Sequence, residues 1–251
     1  MKLYTQQIGS GPDLVLLHGW GFHSAIWSPI LPTLAKHFRL TLIDLPGFGR
    51  SHDFRMKQYD LNTVVQAVLT VAPKKAAWLG WSLGGVIAMQ IAIDHPEKIT
   101  HLVLVSSTPC FLQKENWPGM KMESMKQFAE DLKKDYKTTM QQFLTLQFYG
   151  DASHVALIRQ VQKQLLEETE PQKMALTGGL DILRVADLRD RFRYVECPIT
   201  AIFGRLDIIV PVEVAEKVKE LNTDIRTVII EKASHAPFLS HPEATVSSIM
   251  I

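Results

Sequence analysis

Three residues of this chain, Ser82, Asp207 and His235, have the types and the chain order that nucleophilic catalysis needs. A serine hydroxyl is a weak nucleophile at neutral pH, so an imidazole must take its proton and later return it to the leaving group. A carboxylate must hold that imidazole in the correct tautomer and stabilise its charged form. The chain therefore carries a candidate triad, with Ser82 as nucleophile, His235 as base and acid, and Asp207 as orienting acid.

Ser82 is the centre of a G-x-S-x-G segment that includes Gly80 and Gly84. An apolar run at 76–79 precedes it and a longer one at 86–93 follows it, which predicts a buried strand, a sharp turn and a buried helix. So tight a turn forces the serine into a strained backbone conformation and requires neighbours without a bulky Cβ. The alternative is a glycine-rich turn in which Ser82 only caps the helix.

Two backbone N–H groups are predicted to stabilise the oxyanion of a tetrahedral intermediate. A predicted strand at 14–17 ends in the segment His18-Gly19-Trp20-Gly21. In hydrolases with this kind of serine turn, the loop after the early strand supplies one donor, here the N–H of Trp20. The other is the N–H of Leu83, at the positive end of the following helix. The alternative for the first segment is a plain turn with Trp20 as a core residue.

The elements that must position these residues alternate along the chain. Buried strands are predicted at 14–17, 40–43, 76–79, 102–105, 199–203 and 227–230. Helical patterns between most of them predict an α/β fold, with a mainly parallel sheet flanked by helices on both faces. Asp207 then follows a late strand and His235 follows the last one, as an elbow-type triad requires.

The alternation of strands and helices stops between residues 111 and 197, where several amphipathic helical stretches occur instead. We interpret this segment as an all-helical cap inserted late in the sheet, and residues 1–110 and 198–251 as the core. Because the insertion leaves from the carboxyl ends of the strands, we expect it to lie over Ser82 as a lid. Most of its Met and Phe side chains are expected to pack between helices.

Other residues compete for the roles in the triad. The competing histidines fall at helix ends or in surface-like loops and fit solvated positions better; they are His95, His101, His154 and His241. Asp224 lies one element too late to be the acid. Asp44 begins a loop, 44–51, that has too few glycines and no Lys-Ser or Lys-Thr for phosphate binding, so we expect it to be structural.

Composition excludes several classes of protein. The chain has 251 residues, 46% of them hydrophobic, and its 27 basic and 26 acidic residues give a formal charge of +1. That balance predicts neither nucleic acid nor an anionic membrane as partner. No signal peptide or membrane-spanning run is visible, which predicts a cytoplasmic protein. Cys110 and Cys197 are expected to be structural thiols, and no metal cluster is visible.

These motifs resemble those of the α/β-hydrolases, and more narrowly those of the BioH-type carboxylesterases, which demethylate pimeloyl-acyl-carrier-protein methyl ester in biotin synthesis. The resemblance extends over nearly the whole chain. It rests on the segments 18–21, 44–51, 78–85, 117–119, 143–147, 178–180 and 233–238. Many α/β-hydrolases share the first few segments, whereas Trp81, directly before the nucleophile, and the motifs within 111–197 are more selective.

The resemblance implies a cytoplasmic esterase without a cofactor, acting on an acyl group borne by an acyl-carrier protein. We expect the protein to be a monomer. The residues implied in substrate binding are Trp20, Ser82, Leu83, Phe143, Leu144, Thr145, Leu146, Gln147 and His235. Among these we expect Phe143 to lie on an inward helix stripe with Met140 and Leu144.

The family also implies basic cap residues that receive the acidic carrier protein. Arg159 fits that expectation, whereas the neighbouring family positions Thr138, Gln142 and Val155 are not basic. Because basic and acidic residues are equally numerous within 111–197, any attraction must come from a local patch. The candidates are Lys133, Lys134, Lys137, Arg159 and Lys163, and the alternative is a solvated face without a partner.

Two other kinds of function remain compatible with part of the pattern. Hydrolysis of a lactone, a thioester or a carbon–carbon bond, or acyl transfer, would use the same triad on the same fold. Haloalkane and epoxide hydrolases are disfavoured because they place a carboxylate where Ser82 stands. A non-catalytic ligand-binding protein on this fold usually has a broken triad, whereas all three members are present here.

Overall fold

The computed structural model of the protein describes residues 2–147, 161 and 169–250. A seven-stranded sheet crosses these residues in the order β1-β3-β2-β4-β5-β6-β7. Its strands are β1 (Thr5–Ile8), β2 (Asp13–Leu17), β3 (Arg39–Ile43), β4 (Ala76–Trp81), β5 (Ile99–Val105), β6 (Ile199–Gly204) and β7 (Arg226–Ile230). Only the β1–β3 pair is antiparallel; all other neighbouring strands are parallel.

Helices cover both faces of the sheet. They are α1 (Leu31–Leu34), α2 (Leu61–Leu69), α3 (Leu83–Asp94), α4 (Met122–Lys134), α5 (Tyr136–Leu146), α6 (Lys173–Val185), α7 (Arg189–Phe192), α8 (Val214–Leu221), α9 (Pro237–Ser240) and α10 (Pro242–Ile249). Strands β4 and β6 are buried along their whole length, as a parallel sheet covered on both faces requires. The predicted α/β architecture with a mainly parallel sheet is confirmed.

Two hydrophobic clusters lie on opposite sides of the sheet. One contains Val64 of α2 and Val86 of α3, and the other contains Leu34 of α1 and Val246 of α10. Helix α3 is buried nearly all round, which agrees with its continuous apolar sequence. The helix that follows Ser82 is therefore fixed in the centre of the molecule.

Between β5 and β6 the described residues form helices α4, α5, α6 and α7 and no strand. The two ends of this excursion meet where the N–H of Leu188 donates to the carbonyl oxygen of Pro109 at 2.8 Å, beside a bridge between Cys110 and Asp187. Among the positions singled out from the sequence, His154, Val155, Arg159 and Lys163 lie outside the described residues. The division into a core and a cap at 111–197 stays a prediction.

Candidate active site

The backbone of Ser82 is strained. Its φ of 53° and ψ of −116° lie in a region that non-glycine residues rarely adopt. The N–H of Ser82 donates to the carbonyl oxygen of Val105 at 3.0 Å, and the hydroxyl of Ser107 donates to the carbonyl oxygen of Ser82 at 2.8 Å. Both polar groups of the strained peptide are therefore bonded to the end of β5 and the loop after it. The Ser82 side chain makes no capping hydrogen bond, so the alternative of a capping serine is wrong.

The glycines around Ser82 are required by close backbone contacts. A Cβ at Gly80 would lie 2.4 Å from the carbonyl oxygen of Gly84. A Cβ at Gly84 would lie 2.2 Å from the carbonyl oxygen of Leu17. Neither position can hold a larger residue unless the backbone moves, so the predicted steric reason for the G-x-S-x-G spacing is confirmed.

Asp207 and His235 form a buried pair. His235 Nδ1 lies 2.8 Å from Asp207 Oδ2, and the two residues are 1% and 6% exposed. The other carboxylate oxygen, Oδ1, accepts the N–H groups of Ile209 at 2.8 Å and Val210 at 2.9 Å. Because a carboxylate can only accept, Nδ1 must carry a proton, which leaves Nε2 of the neutral imidazole free to accept one. This is the tautomer that a general base needs.

Trp81 connects the histidine loop to the serine turn. Its indole Nε1–H donates to the carbonyl oxygen of His235 at 2.8 Å. The ring also packs against the side chains of His235, Phe22 and Phe238. Since Trp81 directly precedes Ser82, one buried side chain holds the two backbones together. This role of Trp81 was not predicted from the sequence, although a Trp at the end of a buried strand needs a partner for its N–H.

Ser82 and His235 line the same cavity, which has a volume of about 430 Å³. Its walls are mainly apolar and include Trp20, Phe111, Phe128, Phe143, Leu146 and Leu183. Three further lining residues, Lys121, Ser124 and Ile208, are exposed, so the cavity reaches the surface beside them. The structure therefore places the candidate nucleophile and base in a largely apolar cavity that is open to solvent at one side.

The two predicted oxyanion donors belong to Trp20 and Leu83. Trp20 lines the cavity, and Leu83 is the first residue of α3. Within the described part of the chain, no backbone carbonyl accepts the main-chain N–H of either residue. Trp20 is also a core residue, because its indole N–H donates to the carbonyl oxygen of Leu176 at 2.8 Å and its ring packs edge-on against Phe128 and Phe143. The donor role of both N–H groups stays a prediction.

His18 holds the loop that carries Trp20. Its Nδ1 donates to the carbonyl oxygen of Gly19 at 2.8 Å, and its Nε2 accepts the N–H of Leu45 at 2.9 Å. Complete burial lowers the pKa of His18 to about 4, so the ring is neutral at physiological pH. The expectation that Asp44 is structural is confirmed, since its carboxylate accepts the N–H groups of Ser24 and Arg50.

The family resemblance connects the segment 143–147 with the acyl chain, but its side chains do not all face the same cavity. Phe143 and Leu146 line the Ser82 cavity. Leu144 lines a neighbouring cavity together with Met140, and Thr145 is exposed. The expectation that Leu144 and Met140 face the Ser82 cavity is wrong. Leu144 projects about 100° away from the adjacent Phe143, and Met140, four residues before Leu144, lies on the same face as Leu144. Gln147 is buried with its Nε2 donating to the carbonyl oxygen of Phe143, and it is not in the cavity wall.

One competing histidine is not where we expected it. His101 lies within β5, which begins at Ile99, earlier than predicted, and its Nε2 is 3.0 Å from Thr200 Oγ1. Its burial corrects the expectation of a solvated position, but the residue is bonded within the sheet and is absent from the wall of the Ser82 cavity. Asp224 is exposed, as expected for a residue outside the site.

The remaining candidates are surface lysines and thiols. Lys133, Lys134 and Lys137 are exposed, and Lys134 lies 4.0 Å from Asp131. Cys110 and Cys197 are free thiols whose pKa is raised by burial, in Cys197 to about 11. Within the described ranges, no group of three or more His, Cys, Asp or Glu side chains could hold a metal ion, and no helix is long and apolar enough to cross a bilayer.

Known proteins resemble this chain over nearly its whole length. The profile of the α/β-hydrolase fold family matches residues 12–242. The esterase EaEST from Exiguobacterium antarcticum has a similar structure, with a TM-score of 0.89, 25% sequence identity and coverage of 98% of this chain and 93% of that one. The chain belongs to the α/β-hydrolase family.

Two bacterial relatives are more similar in sequence. The pimeloyl-[acyl-carrier protein] methyl ester esterase of Pectobacterium carotovorum is 43% identical over 99% of this chain and 97% of its own length. The protein of the same name from Yersinia enterocolitica is 43% identical over 97% of this chain and 94% of its own length. The chain is thus a member of this esterase family and an ester hydrolase.

Proposed function

We propose that this protein is a serine carboxylesterase that hydrolyses the methyl ester of pimeloyl-acyl-carrier protein in biotin synthesis. The observation that carries the proposal is the buried contact of 2.8 Å between His235 Nδ1 and Asp207 Oδ2, at a cavity that Ser82 also lines. The names and high coverage of the relatives support the choice of substrate. The proposal includes action as a monomer in the cytoplasm.

In the proposed reaction, Ser82 Oγ attacks the ester carbonyl carbon while His235 Nε2 takes the hydroxyl proton. The negative charge on the carbonyl oxygen is stabilised by the N–H groups of Trp20 and Leu83. The tetrahedral intermediate collapses, His235 returns the proton to the leaving oxygen, and methanol departs. A water molecule, deprotonated by His235, then attacks the acyl-enzyme and releases the free carboxylate and Ser82.

The shape and polarity of the cavity support an aliphatic acyl group. Its apolar walls favour a hydrocarbon chain by removing that chain from water. A chain that carries its methyl ester at Ser82 and a carrier protein at the other end needs a cavity open to solvent. The opening beside Lys121, Ser124 and Ile208 meets that requirement.

The helices between β5 and β6 complete the proposal. We assign residues 111–197 as a cap, since Phe143 of α5 and Phe128 of α4 form cavity walls opposite Ser82. Its exposed lysines, Lys133, Lys134 and Lys137, together with Arg159 and Lys163, are the proposed surface for the acidic carrier protein. Surface charges of this kind act mainly on the rate of encounter.

The test is growth without biotin. A bacterial host that lacks its own pimeloyl-carrier esterase should grow without biotin when it expresses this protein, and should not grow when it expresses Ser82→Ala at the same level. Mass spectrometry of the purified carrier ester should show loss of the methyl group with the wild type only. A protein that hydrolyses short esters but neither supports growth nor demethylates the carrier ester would have another acyl substrate.

A further inference from the structure

Two adjacent glycines, Gly178 and Gly179, lie in the middle of helix α6 (Lys173–Val185). Each glycine in a helix interior costs about 1 kcal/mol relative to alanine, so a pair at this position weakens the helix unless something requires it. Both glycines are buried. A glycine has no side chain with which to make a contact, so the reason must be the space that a side chain would fill.

The two glycines face different parts of the molecule. A Cβ at Gly178 would lie 2.6 Å from Cβ of Tyr59, in the loop before α2. A Cβ at Gly179 would lie 2.7 Å from Cδ1 of Trp20 and 3.3 Å from Cδ2 of Leu83. A side chain at Gly179 would thus meet the side chains of both residues whose N–H groups are the proposed oxyanion donors.

A second contact reinforces the first. The carbonyl oxygen of Leu176 accepts the indole N–H of Trp20 at 2.8 Å. Leu176 and Gly179 are three residues apart and therefore share one face of α6. Along this face, α6 accepts the Trp20 indole N–H at Leu176 and approaches the side chains of Trp20 and Leu83 at Gly179.

We propose that Gly179 is a positioning residue for the oxyanion hole. By lacking a side chain, it lets α6 approach the Trp20 and Leu83 side chains closely enough to fix the main-chain N–H groups of both. Donors act well only within about 2.7–3.1 Å of the developing oxyanion, so a small displacement of either one lowers the rate. The inference rests on the proposed function for the donor roles of Trp20 and Leu83, but not on the identity of the acyl substrate.

The pair of glycines supplies a matched control. Gly179→Ala and Gly178→Ala each add one methyl group against an aromatic side chain and each raise helix propensity by the same amount. Only Gly179→Ala presses on the donor residues, whereas Gly178→Ala presses on Cβ, Cγ and Cδ1 of Tyr59, which is not part of the Ser82 cavity wall. We expect Gly179→Ala to lower kcat for a short nitrophenyl ester by about 10- to 100-fold with KM within about threefold, a fraction of the effect of losing a donor. Gly178→Ala should keep kcat within about threefold of the wild type.

A boronic acid that forms a tetrahedral adduct with Ser82 separates positioning from general damage. Its inhibition constant should rise in Gly179→Ala by a factor similar to the fall in kcat, because the adduct uses the same donors as the transition state. If Gly179→Ala does not fold, Trp20→Phe tests the same contact, since it keeps the main-chain N–H and removes the bond to Leu176. We expect Trp20→Phe to lower kcat about 3- to 10-fold, the value of one neutral hydrogen bond, with a parallel loss of boronate affinity.

Equal losses of kcat in the two glycine variants, or an unchanged boronate affinity in Gly179→Ala, would overturn the inference. A normal kcat in both glycine variants would overturn it as well. If Gly179→Ala does not fold, a normal kcat in Trp20→Phe would overturn it. The short ester keeps this test separate from the proposed substrate. A wild type that hydrolyses the nitrophenyl ester but not the pimeloyl-carrier methyl ester would refute the substrate and leave the result on Gly179 standing.

Discussion

The sheet edge formed by the carboxyl ends of the strands, where Ser82, Asp207 and His235 lie, differs from the facing helices α4, α5 and α6. The two regions are held in place by different kinds of interaction. At the sheet edge, buried hydrogen bonds hold the backbone of Ser82 and the side chains of Asp207 and His235, as in the three contacts to the Asp207 carboxylate. Across the cavity, the helices present mainly apolar side chains, such as Phe143. Polar contacts are directional and apolar contacts are not, so chemistry should depend on the first region and acyl selection on the second.

The largest effect should come from the nucleophile. Ser82→Ala is expected to lower kcat by about 10⁶, the loss seen when a serine protease loses its nucleophile. A fluorophosphonate probe should label the wild type at Ser82 only and leave the variant unlabelled, with circular dichroism unchanged. Ser28→Ala, at an exposed serine, is the control and should keep full activity. Labelling of another serine in the wild type would contradict the assignment.

The acid of the triad should come next. Asp207→Asn keeps the size of the side chain but removes the charge that orients His235, and the comparable change in a serine protease lowers kcat by about 10⁴. We expect a loss of similar size for short and carrier-bound esters alike, measured as kcat for each. A loss confined to the carrier-bound ester would mean that Asp207 acts on substrate binding. It would contradict the assignment of chemistry to the sheet edge and of acyl selection to the helices.

The polar scaffold should also make stability depend on pH. The pKa of folded His18, about 4, lies below its ordinary 6.5, so the unfolded chain binds the proton more readily. The free energy of unfolding should therefore be fully retained above about pH 6.5 and fall by on the order of 3 kcal/mol as pH is lowered towards 4. Denaturant titrations of the wild type and His18→Gln measure this, because the variant lacks the group. Identical pH slopes in the two proteins would show that His18 does not contribute.

On the helical side, the effect should depend on the substrate. Phe143→Ala removes a wall of the cavity and should raise KM for the pimeloyl ester roughly tenfold, because the bound acyl chain then buries less of its apolar surface. A short nitrophenyl ester should change by less than about threefold. Thr145→Ala, on the exposed side of the same helix, is the matched control and should change neither. An equal rise in KM for both esters in Phe143→Ala would indicate an action through Trp20, which the Phe143 ring contacts.

The smallest effect should come from the proposed carrier surface. Lys137→Glu should raise KM for the carrier-bound ester a few-fold at low salt, and added salt should reduce the difference, because exposed charges are screened beyond about 10 Å at 0.1 M. Reversal at Arg159 and Lys163 should act in the same direction. Lys36→Glu gives the same change in net charge at an exposed position just after α1 and should have no effect. If Lys137→Glu alters the short ester equally, the residue supports the fold or the cavity.

A structural feature could be predicted from the sequence when the residues that determine it lie close together in the chain. The turn at Ser82 was predictable because Gly80 and Gly84 act within a few residues. Strand β1 was not predicted, because an edge strand that is only partly buried has little apolar pattern. The predicted solvated position of His101 was also wrong, because β5 extends further towards the N-terminus than its apolar run indicates.

The sequence by itself determined the α/β alternation and the strained serine turn, because both follow from the spacing of neighbouring residues. It also determined the order Ser, Asp, His, because each of these residues follows a predicted strand. Only the tertiary structure joined Asp207 to His235 across 28 residues and fixed the imidazole tautomer. It also decided the rotation of α5, which turns Phe143 but not Leu144 into the Ser82 cavity. The approach of Gly179 to Trp20 and Leu83 was decided there as well. These features depend on the packing of segments that are far apart in the chain, so they cannot be predicted from local sequence patterns.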